Sequence, residues 1–158
     1  ISYMRLADAY LMYAEAAANG YGTPNGKASG FAKSAVDAIN HVRDRAGVEH
    51  VASKFLNSTE AFLSEVRRER AVELAYDAHR FNDLRRWLLL TEHPYTLKTA
   101  HEFDRAEGFD PLAPTENKVL NLKERVVVER KLASKHYWLR MKRADSNMYL
   151  EFEQNPGW

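Results

Sequence analysis

Between Glu65 and Arg86 the sequence holds six arginines and five carboxylates, and within that block Glu69 and Glu73, Glu73 and Asp77, and His79 and Asp83 are each four residues apart. On a helix each such pair shares a face, so two carboxylates there have the spacing to ligate a metal or to work as acid and base. Carboxylate-bridged di-metal bundles, however, place a histidine three residues after a ligand glutamate, and no Glu-x-x-His occurs in this chain. The interleaved arginines would also neutralise the negative charge a metal needs. Planar guanidinium groups suit partly buried bidentate pairing. Arg67, Glu69, Arg70, Glu73, Arg80, Asp83, Arg85 and the following Trp87 therefore read as a structural ion-pair and core motif. Arg70 falls on the apolar stripe of its helix, where acidic neighbours make burial of its charge tolerable.

Other chemistry finds little support. The histidines, at 41, 50, 79, 93, 101 and 136, show no metal-protease pattern and no pair at i, i+4, and the chain has no cysteine. A disulfide, a thiolate zinc site and a cysteine nucleophile are thereby excluded. Neither a Gly-x-Ser-x-Gly elbow nor a glycine-rich phosphate loop is present, so no catalytic residue, metal or cofactor is expected and the chain does not read as an enzyme. Residues 118 to 143 carry nine Lys and Arg against two Glu, a net charge of +7, together with Tyr137 and Trp138. Such a stretch suits an anionic surface, but no recognition motif frames it for nucleic acid, and a solvated edge whose lysines discourage strand pairing explains it as well. Tyr21, Tyr95 and Phe109 fall in predicted loops beside Gly, Pro or Asp. Exposed aromatic faces there can stack on sugars, which makes these three the ligand-binding candidates; the plainer reading is that each anchors its loop.

Elements must position these residues. With 158 residues, 45% hydrophobic and 11% aromatic, the chain has the composition of one or two folded units. Tyr3, Leu6, Ala7, Tyr10, Leu11, Ala14 and Ala17 predict an amphipathic helix, capped by Ser2 and stopped at Asn19-Gly20. A loop over Gly20 to Gly30 leads to a second helix from about Phe31 to Ala46, ended by Gly47. Ser58-Thr59-Glu60 opens a helical region reaching about Leu90, with a spine of Leu63, Val66, Leu74, Phe81, Leu84 and Leu88. Arg70 and Asp77 interrupt that spine, so a break near Asp77-Ala78-His79 is expected to give two helices. Beyond Pro94, Leu97–Asp104 and Val119–Lys131 are strand-like, and Asp110-Pro111 and Pro114 mark turns. The expected fold is mainly α, built of helical hairpins over about 1–91, with an irregular, loop-rich region over about 92–158 containing at most short strands. The longest apolar run, Ala9 to Ala14, is six residues, far short of the roughly 20 that span a bilayer. The first residue is Ile1, and the chain reads as a piece of a longer protein.

Four stretches in this order carry a resemblance: Arg5–Ala16, Ala38–Gly47, Arg67–Ala75 running into His79–Trp87, and the terminal Gln154-Asn155-Pro156-Gly157-Trp158. Together they resemble the C-terminal half of the SusD/RagB family. That resemblance implies tetratricopeptide-like helix pairs in an outer-membrane lipoprotein of the cell surface, whose N-terminal half is missing here. Such a protein binds oligosaccharide without cleaving it and hands it to a SusC-like TonB-dependent transporter, with no nucleic acid partner and with membrane contact only through a lipid anchor upstream. A helical-repeat scaffold that contacts only proteins is the alternative. Two departures stand out. Ala78 replaces a usual glycine, implying a gentler turn before His79, and Leu139-Arg140-Met141-Lys142-Arg143 replaces a Pro-Ile-Pro-like segment, altering the surface offered to a partner.

Overall fold

In the computed structural model, which describes residues 5–113, 117–148 and 151–158, the first apolar stripe forms helix α1 (Leu6–Tyr21). Ser2, Tyr3 and Pro114 lie outside the described residues. The helix does not stop at Asn19-Gly20: the Asn19 side chain bonds the Glu15 carbonyl at 2.9 Å, and termination waits for Gly22, whose φ of 66° is the left-handed conformation that suits a C-cap. Helix α2 (Ala35–Ala46) starts later than Phe31 because Ser34 caps it. The Ser34 hydroxyl accepts from the Asp37 amide at 3.2 Å, and the Asp37 carboxylate accepts from the Ser34 amide at 2.9 Å, a reciprocal capping box. Gly47 ends α2 as expected.

The loop between these helices is held from several sides. The Tyr13 hydroxyl donates to the Lys33 carbonyl at 2.7 Å and accepts from the Ala28 amide at 3.1 Å, and the Phe31 ring packs on Tyr13. Gly26 sits so close to α1 that a Cβ there would lie 2.4 Å from the Ala17 carbonyl oxygen. Its own carbonyl accepts from Ala35 at the start of α2. Helix α3 (Thr59–Glu73) follows a short 3-10 turn and is capped by Ser58, whose hydroxyl accepts from the Ala61 amide at 3.1 Å.

The chain divides into two compact units, Ile1–Arg80 and Phe81–Trp158. In the first, small residues on α1 and α2 (Ala14, Ala17, Ala18, Ala35, Ala38) let the helices approach closely around Leu11, Ile39, Phe62 and Val66, all fully buried. This is the helical-hairpin architecture expected from the sequence. The break near Asp77 is also present, but it is not gentle. Tyr76 and Ala78 both take left-handed φ values, 67° and 63°, so Ala78 adopts unaided the conformation a glycine would favour.

Helix α4 (His79–Arg86) ends in a Schellman motif: the Leu89 amide donates to the Leu84 carbonyl and the Leu88 amide to the Arg85 carbonyl. Leu88 occupies the left-handed position at φ 58°. The chain reverses there, which turns Leu88 outward and buries Leu90 in its place. Phe81, the other expected spine residue, is exposed too, with the Arg85 guanidinium 5.7 Å from its ring centre. In the second unit β1 (Leu97–Arg105) and β2 (Val119–Glu129) form an antiparallel two-stranded ribbon, where the two strand-like segments were expected. Its register slips once between Lys98 and Thr99 and once between Glu102 and Asp104. Every residue of β2 is exposed. A 3-10 turn (Ser134–Tyr137) and helix α5 (Arg143–Met148) complete the unit. Among the described residues no helix is long and apolar enough to cross a membrane.

Candidate functional site

The Glu/Arg block is an ion-pair lattice. Arg70 and Asp8, with side chains 3% and 6% exposed, meet at 2.7 Å and tie α3 to the first turn of α1. Arg43 of α2 reaches Glu65 at 3.2 Å and Glu69 at 2.6 Å, while Arg68 grips both oxygens of Glu65 at 2.8 and 2.6 Å. Its hydrogen bonds to Glu65 are the largest cause holding the Arg68 guanidinium above its ordinary pKa. Glu73 pairs with Arg45 at 2.6 Å and with Arg5 at 3.3 Å. The buried carboxylates Asp8, Glu65 and Glu69 thus face guanidinium groups instead of open space and hold helices together. Among the described residues no group of three or more His, Cys, Asp or Glu side chains could hold a metal ion.

The remaining members of the motif behave differently. Asp83 pairs with Arg86 at 2.9 Å. Among the described residues Arg85 joins no acid: its fork caps the Tyr137 carbonyl, 3.0 Å from Nε. Trp87 is half-buried and not enclosed, with the Arg86 guanidinium 4.6 Å from its ring centre. Arg67 is half-buried and Arg80 exposed, and both have interaction partners.

The three aromatic candidates are not gathered into one site within a unit. Tyr21 is the last residue of α1, not a loop residue, and is 56% exposed. Tyr95 is half-buried in the turn before β1. Phe109 lies beyond the other end of β1, with the Arg105 guanidinium over its ring at 4.6 Å. Nine extended residues of β1 separate Tyr95 from Phe109, about 30 Å at roughly 3.3 Å per residue.

A concavity that sequence reasoning missed lies between α1 and α2. It holds about 380 Å³ and is lined by Leu6, Ala7, Tyr10 and Val42, with His41, Asp44 and Arg45 at its polar side. Tyr10 and His41 meet edge to face, with ring centres 4.7 Å apart. On the apolar stripe of α1, Tyr10 is half-buried against the core while Leu6 is 71% exposed beside Asp44 and Arg45 at the polar end of α2. The spacing of Leu6, Ala7 and Tyr10 contained that signal.

A family model described as the SusD family matches residues 1–158. The chain belongs to the SusD family. Solved structures agree on the fold of this SusD-family chain. A SusD-like protein (BF3747) from Bacteroides fragilis NCTC 9343 matches over 99% of the chain with a TM-score of 0.68 at 22% identity. A protein named BT4246 matches over 98% with a TM-score of 0.63 at 26% identity. The chain spans only 25% and 23% of the lengths of those two structures. A search of curated proteins finds no match.

Proposed function

We propose that this SusD-family chain is part of a non-catalytic, surface-exposed outer-membrane lipoprotein that captures oligosaccharide and delivers it to a SusC-like TonB-dependent transporter. The observation that carries the reading is the family match over the whole chain, residues 1–158, supported by a helical fold shared with SusD-like structures. The chain then forms the C-terminal part of its parent, with much of the ligand pocket and the lipid anchor in the preceding part. Of the three aromatic candidates, Tyr21 best suits sugar stacking, because the Arg105 cation already occupies Phe109 and Tyr95 is half-buried. Calorimetry of the intact protein against a broad panel of oligosaccharides tests this. Micromolar binding of at least one glycan without cleavage is the expected result, and binding of peptides alone would redirect the substrate class. A second reading, a scaffold that contacts only proteins, draws on β2, where Leu120, Leu122, Val126, Val127 and Val128 are exposed side chains on one strand. It predicts a protein partner lost on substituting these residues, and no glycan affinity.

A further inference from the structure

The backbone of the basic segment from Leu139 to Met141 is bonded by the chain's own tail. Gln154 brackets Met141, accepting from its amide at 2.8 Å and donating to its carbonyl at 3.1 Å. The Asn155 side chain donates to the Leu139 carbonyl, and the Trp158 indole donates to the Lys135 carbonyl at 2.9 Å. The amide and carbonyl of Met141 and the carbonyl of Leu139 thus point to one side, the pattern of an extended strand edge, and Trp138 has extended angles of φ −107° and ψ 147°. In such a strand alternate side chains share a face. By that alternation Trp138, Arg140 and Lys142 fall on one side of the segment, about 7 Å apart at roughly 3.3 Å per residue.

This row is open. Trp138 is 56% exposed, and Arg140 and Lys142 are exposed. Among the described residues neither cation has an ion-pair partner and the Trp138 ring stacks on nothing. Arg143 adds a further exposed cation at the end of the row. An aromatic plane followed by cations suits a chain of sugar rings carrying negative charge: one ring lies on the indole while acidic groups on neighbouring rings meet the guanidinium and ammonium. We propose that Trp138, Arg140 and Lys142 form a subsite for an anionic oligosaccharide, one bearing uronate carboxylates or sulfate esters. The inference rests on the glycan-capture reading and narrows its substrate class.

The test is titration of the intact protein with oligogalacturonate, chondroitin sulfate, a neutral galactan and a single-stranded oligodeoxynucleotide. The expected result is that at least one acidic glycan binds at least tenfold tighter than the neutral one, with affinity falling as salt rises. Trp138→Ala and the pair Arg140→Ser with Lys142→Ser should each weaken that binding at least tenfold at an unchanged melting temperature. Response to the first acid alone assigns carboxylate, and to the second alone, sulfate. Neutral glycan bound as tightly as acidic, or acidic binding untouched by the variants, overturns the subsite and leaves glycan capture standing. Binding of no glycan at all overturns both. Equal affinity for the oligodeoxynucleotide, insensitive to Trp138→Ala, overturns the subsite as mere charge attraction.

Discussion

Asp8→Ala removes the carboxylate that faces Arg70 at 2.7 Å in an interior where the two side chains are 6% and 3% exposed. The Arg70 side chain has almost no route to water. Two unit charges about 4 Å apart interact by about 4 kcal/mol at an effective dielectric of about 20, and breaking one half of a buried pair costs about 3–5 kcal/mol in measured cases. With about 2–4 °C of melting temperature per kcal/mol for a chain of this size, the variant should melt on the order of 10 °C lower by circular dichroism. Urea titration should give the same loss without a change in slope. Replacing both partners by apolar residues, Asp8→Leu with Arg70→Met, should recover most of it, because neither charge of the pair is left buried without the other. A single variant within 1 kcal/mol of the wild type would refute the assignment of this pair as the tie between α1 and α3.

Three further outcomes follow from the backbone and the caps. Gly26→Ala forces a Cβ to within 2.4 Å of the Ala17 carbonyl oxygen; overpacking of this kind costs about 1–3 kcal/mol, read as a drop in the urea midpoint. Leu88→Gly should stabilise the protein by about 1 kcal/mol, since the side chain is 70% exposed and its φ of 58° is one glycine adopts freely; no gain in midpoint would contradict the backbone assignment. The Asp37 carboxyl is held below its usual 3.8, chiefly by the side-chain hydrogen bond from Ser34. Its contribution is therefore present above the unfolded-state pKa and is lost as pH falls below about 4 through the lowered folded-state value. Asp37→Ala should cost about 0.5–1 kcal/mol at pH 7, and the difference from wild type should shrink in denaturation curves at pH 3.

Local patterns were legible in the sequence because they arise from local sterics. The 3.6-residue period marked the helices, Ser58 and Gly47 marked a start and a stop, and the interrupted spine marked the break between α3 and α4. The ordered sequence blocks were sufficient to identify the family. Local pattern does not decide where a neighbouring backbone selects between two acceptable local choices. Asn19-Gly20 and Gly22 are both plausible stops, and it was Gly22 that took the left-handed angle. Ala78 was expected to soften a turn and instead adopts positive φ.

What only the tertiary structure decided is which partner each functional group meets. Composition indicated that the arginines and carboxylates of the block would pair, but not that Arg70 reaches Asp8, 62 residues away, or that Arg85 caps the Tyr137 carbonyl, 52 residues away. Nor could spacing show that Tyr95 and Phe109 stand at opposite ends of one strand, or that the terminal Gln154 and Asn155 bond the backbone of Met141 and Leu139. Periodicity encodes which face of an element is apolar; the partner across that face depends on how distant segments dock, and on that the order of residues within one element is silent.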